Sequence, residues 1–298
     1  MMLPAQRIHL SFAPGPFRMA MGLVARDPDE MIELDECYPA EIAQRQSLLD
    51  TRRNVVFAAL DGTEPVRLAV LQRVCGVLAR RYPDCFQRDG AMLHNGITGE
   101  AWDIEHPVID PLELAGRLVQ EDLCLMRPSP EGPVLSAAVL CFPSRWSLAE
   151  KIGRPMMAIH GPVPFYGERL GRPVDRFFAA LAEGKLVERY NWSLVDDPEL
   201  HQPKGHGRRA LNAAITAQNA GQSVFLKVER QTLSRVGADG TVLFTIRVHC
   251  YPLAKVVTTP EIARDLADAV AALPEELAVY KSILPFRQAL LEYLIPTA

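Results

Sequence analysis

No run of apolar residues in this chain approaches the roughly 20 that a membrane-crossing helix needs. A helical membrane anchor is therefore not expected. Residues 1–18 carry four prolines and glycines and no continuous apolar stretch, so they do not read as a secretory signal. Together these absences point to a cytoplasmic protein. Closely spaced cysteines are also lacking: Cys37, Cys75, Cys85, Cys124, Cys141 and Cys250 never lie closer than ten positions. That spacing excludes a zinc ribbon and a typical iron–sulfur motif, and the cysteines read as buried free thiols. Positive charge is not in excess either, with 32 Lys and Arg against 36 Asp and Glu, a net charge of -4, and no basic cluster. Nucleic acid is not an expected partner. There is no internal repeat.

What is present is an ordinary globular composition, 48% hydrophobic and 23% charged over 298 residues, enough to bury a substantial core. The first third reads as helical. Pro39 to Leu49 begins a helix, and Pro65 to Arg81 spaces Val66, Ala69, Val70, Val74, Val77 and Leu78 along one face. Pro83, Gly90, Asn95, Gly96 and Gly99 mark a long loop. Asp110 then caps a helix whose first turn holds Pro111 and which runs to about Gln120.

Beyond it the periodicity changes. Asp122 to Arg127 and Val134 to Phe142 are short apolar runs separated by Pro128, Pro130, Gly132 and Pro133, two strands and a turn. Ser147 and Glu150 have capping-box spacing, and helical pattern resumes after Pro155 toward His160. A helix over 174–182 stops at Gly184. Three strands follow at 186–195, 223–236 and 241–251, the last two joined by Gly237-Ala238-Asp239-Gly240. An Ala-rich helix is expected over 208–219, closed by Gly221, and C-terminal helices over 260–273 and 276–294. The order fits an α+β fold with a PAS-like five-stranded antiparallel sheet. Residues 1–110 would be a helical extension, 111–258 the core and 259–298 C-terminal helices, all in one compact unit.

Several motifs in register carry a resemblance. Cys141 to Pro155 runs directly into Met156-Met157-Ala158-Ile159-His160-Gly161-Pro162-Val163-Pro164. Leu170 to Phe178, Asn191-Trp192-Ser193-Leu194, Val228 to Leu233 and Phe244 to Arg247 follow, with Pro16 to Met19 and Gln120 to Cys124 upstream. Over most of its length the chain resembles the α subunit of the haem-dependent oxidative N-demethylase family. The resemblance implies a PAS-type domain that holds haem b, with its iron, and uses O2 to remove a methyl group from a small secondary amine such as dimethylamine. It implies electrons from NADPH, delivered by flavin and iron–sulfur centres on a separate reductase subunit. A haem-binding gas or redox sensor without turnover is the alternative reading.

His160 is the candidate axial ligand, since imidazole binds iron well and Met156, Met157 and their neighbours offer a soft apolar wall. A histidine ending a helix at Gly161-Pro162 is the competing account, and Cys141 the competing ligand. Arg230 shares a strand face with Val224, Leu226, Val228 and Thr232, so its charge needs a partner. That partner is either O2 at the haem, making Arg230 catalytic, or a buried carboxylate or propionate. Glu229 and Arg247 are expected to pair across the hairpin. Arg145, Lys151 and Arg154 are candidates for the propionates. Tyr190 and Trp192 share a face, which suits either cation–π contact with the amine or core packing. Gly205-His206-Gly207-Arg208-Arg209-Ala210 matches a dinucleotide fingerprint but follows a polar loop, not a strand. His201 and His206 lack a third metal ligand nearby.

Overall fold

The Gly237-Ala238-Asp239-Gly240 turn closes an eleven-pair antiparallel ladder in the computed structural model, which describes residues 3–295. Gly237 and Gly240 take left-handed backbone, φ 85° and 82°, as a tight reversal requires. Thr241 N–H and hydroxyl both donate to the Asp239 carboxylate, which fixes the turn from within.

Ten strands are present among the described residues: β1 (Val24–Arg26), β2 (Phe57–Ala59), β3 (Phe86–Asp89), β4 (Met92–Asn95), β5 (Glu100–Asp103), β6 (Asp122–Arg127), β7 (Val134–Val139), β8 (Leu186–Val195), β9 (Phe225–Arg235) and β10 (Val242–Pro252). Seven form one antiparallel sheet in the order β1-β8-β9-β10-β6-β7-β2, and β3 to β5 form a separate meander. The α+β class is as expected, and all five expected strands are present as β6 to β10. The sheet nonetheless has seven strands. Its two extra edges, β1 against β8 and β2 against β7, come from the first 110 residues, where helices and a long loop but no strand were expected. Segments of three residues are too short to carry a periodicity.

Two further segments differ from expectation. The expected loop around residues 83–99 folds into the meander, with Gly90 (φ 57°) and Gly99 (φ 77°) at its turns. Residues 208–219 make turns instead of a helix, and a helical turn forms only at Ala220–Ser223. Asparagine side chains there compete for the backbone: Asn219 donates to Ala214 O at 2.8 Å and accepts from Thr216 N at 2.9 Å. The helices with proline in their first turn form close to their expected starts, at Tyr38–Thr51, Glu64–Arg81, Pro111–Leu118, Arg172–Ala180 and Pro260–Ala271. Asp110 accepts from Leu112 N at 2.9 Å, the cap its position implies.

Residues directly paired across an antiparallel ladder share a face. Tyr190, Arg230 and Arg247 stand in one row on one face, whereas Asn191, Glu229 and Val248 stand on the other. The first face carries the N-terminal helices, through Glu41 on Arg247 and Gly116 against Val139. It also carries the C-terminal helices, where Leu266, Val270, Phe286 and Leu290 cluster with Leu226, Val228 and Tyr251. The register corrects the expected Glu229–Arg247 pair: Arg247 lies opposite Arg230 and is fully buried between Asp35 (2.8 Å) and Glu41 (2.7 Å). Arg45 and Asp122 make a second buried pair at 2.7 Å, and Asp122 also accepts from Cys141 N and Phe142 N. No described helix is long and apolar enough to cross a membrane.

Candidate functional site

Pro155 starts a single helical turn, Met156–Ile159, and His160 ends it. The carbonyl of Met156 accepts from His160 backbone N–H, the bond that closes the turn, and also lies 3.1 Å from ring Nδ1. A carbonyl only accepts, so the ring proton sits on Nδ1 and Nε2 keeps a bare lone pair. The ring stacks on Tyr166 at 4.3 Å with a 12° interplanar angle. Burial pushes the imidazole down to about 4, so it is neutral at physiological pH.

Arg189 and Lys151 near the His160 ring disfavour its charged form and Glu229 favours it; Arg189 and Glu229 stand on the Asn191–Glu229 face of the sheet. Glu229 accepts from Asn191 Nδ2 at 3.2 Å and Gln231 Nε2 at 2.8 Å. Arg189 Nε is buried with no hydrogen-bond partner, and burial lowers the guanidinium's pKa. Lys281 Nζ donates to Trp192 O at 2.6 Å, and burial pulls it down to about 8. Arg145 donates to Lys281 O at 2.8 Å, Lys151 Nζ to Ile159 O at 2.6 Å, and His206 stacks on Tyr280 at 4.4 Å. His160, Arg189, Asn191, Glu229, Tyr280 and Lys281 are each half-buried, and we read this partly open cluster as the lining of a recess.

Backbone strain gathers at the same place. Three non-glycine residues among those described take left-handed backbone: Arg145 and Phe165 at φ 65° and Ser282 at φ 55°. Each adjoins the recess: Arg145 through Lys281, Phe165 beside Tyr166, and Ser282 beside Lys281. Such conformations cost about 1–2 kcal/mol apiece and persist where surrounding structure enforces them.

The expected site residues divide between the two faces. Lys151 and Met156 lie with His160, and Arg145 with Lys281; Arg154 is exposed, and Met157 is 40% exposed and packed against Gly167 and Gly171. Arg230, Tyr190 and Trp192 do not join them, because the pleat sends alternate residues to opposite faces. Arg230 instead pairs with Glu188 at 2.6 Å and Glu33 at 3.2 Å, the carboxylate alternative for its charge. Trp192 meets Phe12 edge-on at 6.0 Å and Tyr190 lies 5.0 Å from His9, within the other face's core. Cys141 is fully buried and its thiol is pushed up to about 12, a core position. His201 binds Cys141 O and His206 binds Tyr280 O, so the two do not converge, and the Gly205–Ala210 segment opens no helix. Sequence reasoning passed over Arg189, Tyr166 and Lys281 and gave Glu229 a structural role. The face of Arg189 follows from alternation with Tyr190 and Trp192, and that of Glu229 from the ladder register; Tyr166 and Lys281 lie outside the sheet.

The fold and the site define an α+β protein with a cationic, histidine-bearing recess on an antiparallel sheet. Residues 22–291 match the family described as haem-dependent oxidative N-demethylase, alpha subunit-like, and the chain belongs to that family.

Proposed function

We propose that this protein oxidatively demethylates a small secondary amine of the dimethylamine kind, holding haem b in the recess through His160. The observation that carries the reading is the His160 ring, its Nδ1 anchored to Met156 O and its Nε2 left free. The other recess residues fit the same group. Arg189 brings a guanidinium with an orphaned Nε, and Arg145 and Lys151 add positive charge for two propionates. The five central strands, taken alone, stand in the order second, first, fifth, fourth, third, which supports a PAS-type core enlarged by two edge strands.

Haem bound here would supply O2 activation, and the overall change balances: dimethylamine, O2, two electrons and two protons give methylamine, formaldehyde and water. The chain's own residues bind and orient. Tyr166 holds the imidazole plane, and Glu229, fixed by Asn191 and Gln231, offers a carboxylate to a dialkylammonium ion. The roles expected of Arg230, Tyr190 and Trp192 at the substrate are not retained. The family description implies further subunits. Electrons would come from NADPH through flavin and iron–sulfur centres on a partner reductase.

Reconstitution tests this. Chain supplied with haemin should turn red, with a Soret band that shifts on adding dimethylamine; His160→Ala should lose the wild-type band. Supplied with a surrogate reductase and O2, the wild type should release formaldehyde. A folded protein that takes up no haem ends the proposal, and haem binding without formaldehyde favours the sensor.

A further inference from the structure

We propose that His9, Glu33 and His249 form a site for a divalent transition-metal ion on the sheet face opposite the recess. Each offers one ligand atom, and these atoms lie within 4.8 Å of one another. Glu33 Oε1 is 3.2 Å from His9 Nε2 and 3.8 Å from His249 Nε2. A tetrahedral ion with bonds of about 2.0–2.1 Å sets its ligand atoms about 3.3–3.4 Å apart, so small rotations of the side chains close the site.

His249 is the independent observation. Its side chain is fully buried, and neither ring nitrogen has a hydrogen-bond partner. A buried imidazole with both nitrogens unmet is costly and calls for a cause. A metal at Nε2 satisfies one nitrogen. Nδ1, 3.8 Å from Asp35 Oδ2, then carries the proton toward a carboxylate, the usual outer support of a ligating histidine.

Charge points the same way. Glu33, Asp35, Glu41, Glu121 and Glu188 surround Arg230, Arg247 and Arg26, five carboxylates against three guanidiniums. A dication cancels that excess. Two imidazoles and one carboxylate suit zinc, iron(II) or cobalt(II) over magnesium or calcium, which favour all-oxygen shells. The ion would fasten a segment that has no helix or strand of its own around His9, already tied to β10 where Tyr251 Oη donates to Arg7 O at 2.6 Å.

The test uses full-length chain stripped with a chelator and dialysed, with zinc measured by emission so that haem iron does not count. Added Zn2+ alone should bind at one per chain and raise the unfolding temperature, and Co2+ should give the visible bands of a low-coordinate site. His9→Ala and Glu33→Gln should each weaken zinc binding at least tenfold and abolish the thermal shift, with far-ultraviolet dichroism unchanged. Folded wild type that takes up no zinc at micromolar concentration overturns the proposal. So does zinc binding of equal strength in both variants.

Discussion

Arg247 has no exposed surface and holds Asp35 and Glu41 at 2.8 and 2.7 Å, so its charge is sustained by two carboxylates and theirs by it. Arg247→Met leaves both acids buried without a counterion and should cost about 3–5 kcal/mol, read as a lower urea midpoint. Arg247→Lys should recover little, because a single ammonium cannot reproduce the forked geometry. Lys281 provides a pH test. Burial depresses its folded-state value to about 8, whereas 10.5 is its ordinary value. Between those values the unfolded chain binds more protons, so stability rises with pH across that window. Lys281→Met should remove that rise, measured as the difference from wild type in denaturant midpoints between pH 8 and 10.5. At this scale His160 and Lys151, which meet through the turn at Ile159, are legible in the sequence as candidates, because local motifs announce them. Arg230 is legible only as a charge in need of a partner. Which carboxylate answers it depends on Glu33 and Glu188, nearly 200 and about 40 positions away, and on a register that moves every side chain to the opposite face when it slips by one.

Elements show the same division between local and distant causes. Helices that place proline in the first turn, and the glycine-closed hairpin, are written in neighbouring residues and are legible. The edge strands β1 and β2 are three residues each and exist only because the sheet offers them a ladder. Residues 208–219 err the other way: alanine favours helix, yet asparagine side chains capture the backbone first. Helix packing supplies a prediction. A Cβ built on Gly116 would lie 2.6 Å from Val139 Cγ1 and within 3.1 Å of two more Val139 atoms. Val139 is branched and fixed in β7, so the helix Pro111–Leu118 must shift outward. Gly116→Ala should cost about 1–3 kcal/mol by denaturant unfolding, and adding Val139→Ala should recover part of it. Gly171→Ala also meets a side chain, Met157, but that one is flexible and half-exposed, so the loss should be much smaller. Equal losses at the two glycines would contradict this account.

Across the whole molecule the seven-stranded sheet acts as a partition. One face meets the N- and C-terminal helices and the buried ion-pair network; the other bears His160, Arg189 and Glu229. Substitutions on the two faces should therefore separate stability from binding. Phe12 packs edge-on against Trp192 and is half-buried, so Phe12→Ala should lower stability by about 1–2 kcal/mol. Alternation along β8 sets Trp192 on the face away from Glu229, although Lys281 Nζ lies 5.8 Å from its ring, and the Soret shift on adding dimethylamine should stay as in wild type. Arg189→Gln should do the reverse. It removes a guanidinium whose Nε is buried without a partner, so stability should hold. Losing one charged contact to a propionate should weaken haem binding about tenfold, corresponding to about 1.4 kcal/mol. Haemin titration and urea unfolding of the two variants, run side by side, give four readings. If Phe12→Ala weakens haem binding as much as Arg189→Gln does, the faces are not independent and the recess is not the haem site.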